Sequence, residues 1–364
     1  MIALVRSLSS EVARPVPTFF AVAALLLLLP TSAARLHAQQ PAAKDTAFGV
    51  ELVPPNFPNS TIEDTVAALA TTAAIGSHSS FIWHWGDRVA LPAILDLVPL
   101  MKSHGLKSLV QMGTVFLGQP APPQGYPQSF GDPQVRALYL ADVATLASTR
   151  PSYLVLTTEV NLLHRFNPPE FENFRTLYQE AYALAKSISP ETRIGVSFLE
   201  SLWFANYYLD NIDVPPLIAP SDFIAFTAYP EWLINEGHYA SIADIPAEWH
   251  ASTRLAYPDA SIIYSEVGWS SKGRGTPELQ AEFMRNLPRL MSMVKPDLIT
   301  WSLMADVEFF TRDLLTAEAT AFLEGLGVDI DTLFEHFNGM GLMRGDGQPK
   351  PALAEAAALD FKTP

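Results

Sequence analysis

Short apolar segments alternate with helix-like segments along the chain from residue 48 onward. Eight of the apolar segments are rich in Ile, Val, Leu and Phe, a composition that is typical of buried parallel strands. They cover residues 48–53, 80–85, 108–116, 153–158, 194–198, 223–228, 262–265 and 298–303. Most begin about 26–45 residues apart, the length of one strand followed by one helix. The pattern therefore predicts eight βα units.

Residues that favour helix starts and ends stand between these segments. Residues 60–63 (STIE) match a capping box, in which the side chains at the two ends satisfy each other's backbone donors. Gly105 is expected to end the second helix, because glycine tolerates the left-handed conformation found there. At three other helix starts a capping residue precedes a proline. These pairs are Asp132-Pro133, Asn167-Pro168 and Thr276-Pro277.

Eight βα units in one chain favour a closed (β/α)8 TIM barrel, formed as a single domain by residues 47–364. The alternative is an open doubly wound sheet, which usually has fewer strands and a glycine-rich phosphate loop after the first. Nothing glycine-rich follows residues 48–53. Residues 119–133 are predicted to form one long loop, and residues 316–335 an insertion after the eighth strand. The last helix is expected at residues 352–359.

The first 38 residues have the pattern of a secretory signal peptide. Two arginines precede the apolar run 18–29, and small residues follow it before the polar linker 39–46. The run is shorter than the roughly 20 residues that span a bilayer. We therefore expect a secreted protein, extracellular or periplasmic, with a retained membrane anchor as the alternative.

The chain contains no cysteine and has a net charge of −15. Disulfides, thiolate metal sites and a cysteine nucleophile are thereby excluded. The acidic balance disfavours nucleic acid or an anionic membrane as partner, because both attract clustered Lys and Arg. The eight histidines form no His-x-His or His-Glu-x-x-His motif, so no metal and no cofactor is predicted. A neutral ligand fits best, and the oligomeric state stays open.

Two glutamates directly follow predicted strands. Glu159 comes after the fourth strand and Glu266 after the seventh. Active sites of TIM barrels lie at the carboxyl ends of the strands, so both carboxylates are expected at one mouth. A pair of carboxyl groups can cleave a glycosidic bond, with one as acid/base and the other as nucleophile. Either glutamate alone is equally well explained as a structural ion-pair partner.

Aromatic and polar residues at other strand ends are candidate sugar contacts, because the C–H face of a pyranose stacks on aromatic rings. Six of the seven tryptophans fall at or just beyond strand ends, with packing in the barrel core as the alternative. They are Trp83, Trp85, Trp203, Trp232, Trp269 and Trp301. The polar candidates are His84, Asn161, Glu200 and Asp306. Glu51 is expected to face the barrel interior.

The motifs at these strand ends resemble those of the clan A glycoside hydrolases. Residues 263–270 (IYSEVGWS) resemble the nucleophile region of β-1,3-glucanases, and residues 222–232 (DFIAFTAYPEW) resemble the sixth strand of endo-β-1,4-galactanases. The resemblance implies a retaining mechanism with Glu159 as acid/base and Glu266 as nucleophile. It also implies that Tyr229 contacts the nucleophile and that Trp301 lies beneath the sugar.

One position departs from the usual pattern of this clan. Most members have Asn directly before the acid/base, where it binds the sugar 2-hydroxyl, whereas this chain has Thr158. Asn161 matches a second asparagine found after the glutamate in glucanases and galactanases. The predicted function is retaining hydrolysis of β-linked neutral saccharides. The alternatives are a non-catalytic sugar-binding barrel, which Thr158 keeps open, and a transglycosylase.

Overall fold

The computed structural model describes residues 43–204, 207–210, 213–235, 237–325 and 327–361. The predicted signal peptide, residues 1–38, and the first four residues of the predicted linker lie outside this part of the chain. Cleavage and export therefore stay predictions. In the described part, no helix combines the length and the apolar character needed to cross a membrane.

Eight parallel strands, β1 to β8, form the centre of the molecule. The fifth strand has two segments, separated only by Val196. The strands are β1 Phe48–Glu51, β2 His78–His84, β3 Lys107–Gly113, β4 Tyr153–Val155, β5 Arg193–Gly195 with Ser197–Leu199, β6 Ile224–Ala228, β7 Ile262–Val267 and β8 Leu298–Trp301. All eight coincide with predicted apolar segments, although β1, β2, β3, β4 and β8 end earlier than predicted.

Hydrogen bonding closes the sheet into a barrel. Strand β1 pairs in parallel with both β2 and β8, and the remaining strands pair in sequence order. The first segment of β5 pairs with β4 and the second with β6. Because every strand has a neighbour on each side, the sheet has no free edge. This confirms the predicted TIM barrel and excludes the open sheet.

Helices follow the strands and surround the barrel. They are α1 Ile62–Ile75, α2 Leu91–Ser103, α3 Pro133–Ser148, α4 Val160–Phe166, α5 Pro168–Ile188, α6 Trp232–Asn235, α7 Ala251–Ala256, α8 Pro277–Leu290, α9 Ala317–Gly325, α10 Ile330–Asn338 and α11 Pro351–Ala358. Short antiparallel hairpins follow β3 and β5. The loop predicted at residues 119–133 thus begins with a hairpin strand, and the insertion after β8 folds as α9 and α10.

The helix boundaries agree only in part with the sequence signals. Asp132 and Thr276 cap α3 and α8 through their side chains, and Gly105 ends α2 with a φ of 73°. The capping box of α1 is shifted by one residue, since Thr61 and not Ser60 is the cap. Asn167 precedes α5, but its side chain donates to Gln119 instead of capping the helix.

The barrel has two apolar layers. A small cluster, which includes Leu109, Val155 and Ile263, fills the interior, and a larger one packs the outer face of the sheet against the helices. Gly49 leaves room for the ring of His78, because a Cβ at residue 49 would lie 2.5 Å from that ring. The interior is therefore filled with packed side chains, among them the buried His78, which hydrogen-bonds to Thr300. The candidate site lies at the mouth, at the carboxyl ends of the strands.

Candidate active site

Glu159 lies at the mouth, between β4 and α4. Its backbone is left-handed, with φ 51° and ψ 43°, a conformation that is uncommon for a non-glycine residue. The backbone N–H donates to Ser197 Oγ at 3.1 Å, and Thr227 Oγ1 donates to the carboxylate at 2.8 Å. Such strain persists only where the surroundings enforce it and is common at active sites. Strands β5 and β6 thus fix the position of Glu159.

Glu266 reaches the same mouth through an irregularity in β7. Ile263 faces the interior, so regular alternation would turn Glu266 outward to the helices. The register with β6 shifts here, however, because Phe226 pairs with Tyr264 and Thr227 pairs with Glu266. A bulge of this kind inserts one residue and redirects the side chains that follow it. The bulge therefore directs the carboxylate into the mouth.

Tyr229 follows β6 and contacts Glu266 as the resemblance implied. Its hydroxyl donates to Glu266 Oε2 and lies 3.2 Å from Ser302 Oγ. Burial and the neighbouring carboxylate raise the pKa of Tyr229 well above its ordinary value. The phenol therefore keeps its proton and remains a hydrogen-bond donor to Glu266.

Three carboxyl groups share the mouth, because Glu51 at the end of β1 also faces it. Burial raises the pKa of Glu51 to about 7 and also raises that of Glu159. The pKa of Glu266 is raised most by burial and further by the negative charges of Glu51 and Glu159, while the Tyr229 hydroxyl lowers it. Mutual repulsion across a poorly solvated site keeps all three from ionising together.

Two predicted sugar contacts, Trp83 and Trp85, lie outside the mouth. Both are buried against the helices, since they alternate with the mouth-facing position 84. The Trp83 indole donates to the Asp87 carbonyl at 2.8 Å. The Trp85 indole donates to Asp142 at 2.7 Å and packs edge-on against Tyr139. The structure thus corrects the prediction: both rings belong to the outer core.

Trp269 and Trp301 are core residues as well, with exposures of 2% and 0%. Trp269 stacks on Phe283 of α8 at a ring distance of 4.8 Å. The Trp301 indole donates to the Met340 carbonyl at 2.9 Å. Neither ring presents a face to the mouth, so the implied position of Trp301 beneath a sugar is not found. The side chains of Trp203 and Trp232 lie outside the described part of the structure.

Among the polar candidates, His84 is exposed at the end of β2, where a sugar contact stays a prediction. Asn161 is buried and forms two hydrogen bonds with the backbone of Leu199, at 2.8 and 2.9 Å. It therefore joins α4 to β5 instead of facing a ligand. This contact holds the helix that begins directly after Glu159.

Glu200 and Asp306 are also structural. Buried Glu200 pairs with His250 at 2.6 Å and accepts from the Tyr264 hydroxyl. Asp306 pairs with the buried Lys350 at 2.7 Å, where burial lowers the pKa of the lysine to about 8. Both carboxylates have partners within the protein, so the prediction that they line the groove is not supported.

Several residues at the mouth were missed by sequence reasoning. Ser197 and Thr227 hydrogen-bond to Glu159, and Ser302 contacts Tyr229. Alternation along β5, β6 and β8 is the signal that could have found them. Two residues of α10 pack against Tyr229, namely His336 at 6.0 Å and Phe337 at 5.8 Å between ring centroids. Within the described residues, no three His, Asp or Glu side chains are placed to hold a metal ion.

No protein-family model and no curated protein matches the sequence. Solved structures do match. A GH5_18 protein from Bifidobacterium longum, solved with Manβ1-4GlcNAc, has a TM-score of 0.63 and 17% identity, over 86% of this chain and 77% of its own. An exo-β-1,4-mannosidase from Opitutaceae bacterium strain TAV5 has a TM-score of 0.60 and 16% identity, over 86% and 58%.

A family 39 glycoside hydrolase from Bacteroides cellulosilyticus is also similar. Its TM-score is 0.55 with 16% identity, over 86% of this chain and 62% of its own. These identities are too low to carry a substrate or a reaction from one protein to another. What the likeness shows is that the chain has the barrel fold of these glycoside hydrolases.

Proposed function

We propose that the protein is a secreted, retaining glycoside hydrolase that cleaves β-glycosidic bonds in neutral saccharides. One observation carries the proposal: Glu159 and Glu266, 107 positions apart, meet at one mouth, since Thr227 donates to Glu159 and is paired in register with Glu266. Two carboxyl groups facing a common space can act on the same acetal. The saccharide-processing barrels with a similar fold support this reading.

The two glutamates accept hydrogen bonds from different hydroxyl groups. Glu266 accepts one from Tyr229 and Glu159 accepts one from Thr227, and each bond lowers the pKa of its carboxyl group. Burial outweighs both bonds, so the pKa of each group is raised and the pKa directions do not distinguish the two roles. We assign Glu266 as the nucleophile and Glu159 as the acid/base because the resemblance to clan A enzymes implies these roles, including the contact of Tyr229 with the nucleophile.

The reaction proceeds in two displacements. Glu266 attacks the anomeric carbon while Glu159 donates its proton to the glycosidic oxygen, so the C–O bond breaks and an ester to Glu266 forms. Glu159, now ionised, then removes a proton from water. That water attacks the same carbon and releases Glu266 as a carboxylate. The two inversions together retain the configuration.

The charge of Glu51 acts on the nucleophile. When Glu51 is ionised, its negative charge raises the pKa of Glu266. Cleavage requires an ionised Glu266 and a protonated Glu159. Since burial raises the pKa of both groups, the active pH range should lie above the ordinary range of carboxyl titration.

Glu51→Gln should move the acid limb of kcat/KM to lower pH. The variant removes a negative charge that raises the pKa of Glu266, so the nucleophile ionises at lower pH. A pH profile on an aryl β-glycoside measures the shift. The matched variant is Glu200→Gln, a buried glutamate away from the mouth, which should leave this limb in place. An acid limb that is unchanged in Glu51→Gln would show that Glu51 does not affect the ionisation of Glu266.

Tyr229→Phe should have the opposite effect. Loss of the hydroxyl removes a hydrogen bond to a charged group, worth roughly 1.5–3 kcal/mol, so kcat/KM should fall by about 10–100-fold. The pKa of Glu266 should rise, which moves the acid limb to higher pH. Tyr182→Phe, whose hydroxyl bonds Asp222 on the outside of the barrel, is the control. A purely structural role would lower activity without moving the limb.

The function itself is tested with purified protein and a panel of aryl β-glycosides and β-linked oligosaccharides. Release of the aryl group or of new reducing ends supports hydrolysis. Longer oligosaccharides among the products would identify a transglycosylase. Binding without any release would favour the non-catalytic barrel.

A further inference from the structure

The insertion after β8 extends over the mouth. We call residues 309–338 the roof segment, of which 309–325 and 327–338 are described. It contains α9 and α10, and its contacts identify the strands whose loops it reaches. The mouth is bounded by the loops after all eight strands, so these contacts define which sides of the site are closed.

The roof segment crosses the barrel. Phe322 of α9 packs edge-on against Phe166 at a ring distance of 5.2 Å. Phe166 ends α4, the helix that begins directly after Glu159. Strands β4 and β8 lie on opposite sides of an eight-stranded barrel. A segment that leaves β8 and touches α4 therefore reaches from one side of the mouth to the opposite side.

Contacts on two further sides complete the enclosure. Near β1, Phe309 packs against Phe57 at 5.3 Å. Near β6, His336 pairs with the buried Glu231, whose other oxygen accepts the backbone N–H of Ser270 after β7. The roof segment thus contacts the loops after β1, β4 and β6 directly, and the loop after β7 through Glu231.

The roof segment also forms an aromatic wall beside the nucleophile. Phe337 lies 5.8 Å from Tyr229, which donates to Glu266, and Phe310 lies 5.6 Å from Phe337. Phe309 continues the row at 4.3 Å from Phe310. All three phenylalanines are half-buried, unlike the four described tryptophans of the barrel wall, which are fully buried. This row therefore closes the side of the mouth next to Glu266, in addition to the contact at α4.

We propose that this enclosure restricts the enzyme to chain ends, so that it removes single sugars from the non-reducing end. The inference rests on the proposed function. An enzyme that cleaves within a chain needs a groove open on both sides of the cleaved bond. Here the side next to the nucleophile, where the glycone binds, is closed by the roof segment. The remainder of the chain, attached to the leaving oxygen, must leave on the other side.

The experiment uses the wild-type protein and β-linked pentasaccharides labelled with a fluorophore at the reducing end. The set contains β-1,4-mannan, β-1,4-glucan, β-1,4-galactan and β-1,3-glucan oligomers. The first labelled product should be the tetrasaccharide, together with an unlabelled monosaccharide. Labelled di- or trisaccharide as the first product would overturn the inference.

A second arm uses the same pentasaccharide with its non-reducing end capped by a 4,6-O-benzylidene group. Capping should reduce cleavage at least about a hundredfold, because the added ring has no room in a closed pocket. Cleavage of the capped chain into internal fragments would overturn the inference while leaving the hydrolase intact. If neither pentasaccharides nor aryl glycosides react, the proposed function fails as well.

A variant tests whether the roof segment causes the exclusion. Phe322→Asp places a charge in the contact with Phe166 and should increase cleavage of the capped chain at least about tenfold. The matched control is Phe116→Asp, at an exposed phenylalanine in the hairpin after β3. If a folded Phe322→Asp protein cleaves the capped chain no faster than the wild type does, the roof segment is not what excludes capped chains.

Discussion

Glu266→Gln is expected to reduce kcat on an aryl β-glycoside by about 10⁴-fold or more, because the amide cannot form the ester intermediate. The substitution keeps the shape of the side chain and its contact with Tyr229. It also removes a charge from a buried group, so the variant should be at least as stable as the wild type. Discontinuous assays of aryl release by the purified variant measure the decrease in kcat.

The control for this substitution is Glu278→Gln, an exposed glutamate at the start of α8. It should retain wild-type kcat, while both variants should bind substrate with similar affinity. Turnover by Glu266→Gln within tenfold of the wild type would show that another group attacks the sugar. The assignment of the nucleophile would then be abandoned.

Glu159→Ala should lose activity in proportion to the basicity of the leaving group. Removal of a general acid costs about 10²–10⁴-fold, and the loss should be largest for alkyl and sugar leaving groups. A 2,4-dinitrophenyl group leaves without protonation, so formation of the ester to Glu266 should be nearly unaffected. Comparing kcat/KM across a series of phenols measures this dependence.

Azide provides the complementary readout for Glu159→Ala. It needs no general base, so it can replace water in the second displacement. We expect azide to accelerate turnover and to yield a glycosyl azide of retained configuration. Equal losses for good and poor leaving groups, without azide rescue, would indicate that Glu159 is a structural residue.

Much of the fold could be predicted because each strand is a short apolar run of regular spacing. Parallel strands are buried on both faces, so each one is an almost continuous apolar run that can be recognised without knowing its neighbours. Helix caps were less predictable. Thr61 displaced Ser60 as the cap because Asp64, one residue beyond Glu63, supplies the reciprocal hydrogen bond. Asn167 found a side-chain partner in Gln119, which is 48 positions away.

The glutamate pair could be predicted because strand ends are fixed by the strands themselves. The bulge that directs Glu266 inward leaves no clear sign in the sequence. The position of Glu266 at the mouth was therefore predicted from the end of the strand alone, without the bulge that turns its side chain inward. The predicted positions of the tryptophans at the mouth were wrong, although the alternation of side chains along each strand indicates their outward direction. Trp83 and Trp301 share the outward parity of Phe81 and Ile299, and large apolar side chains of that parity pack on the helices.

The position of the roof segment could not be predicted from the sequence. Its position depends on contacts such as Phe322 with Phe166, between residues 156 positions apart. Composition predicted only an insertion after the eighth strand. Long-range packing of half-buried aromatic rings has no local pattern, so the closure of the mouth could be recognised only in three dimensions.

Trapping of the glycosyl–enzyme tests the central claim most directly. Incubation with a panel of 2-deoxy-2-fluoro-β-glycosides carrying a dinitrophenyl leaving group, followed by peptide mass mapping, locates the covalent sugar. We expect one adduct, on the peptide that contains Glu266, and none on the Glu266→Gln protein. An adduct on any other residue, or hydrolysis of the matching unfluorinated glycoside without a trappable ester, would contradict it.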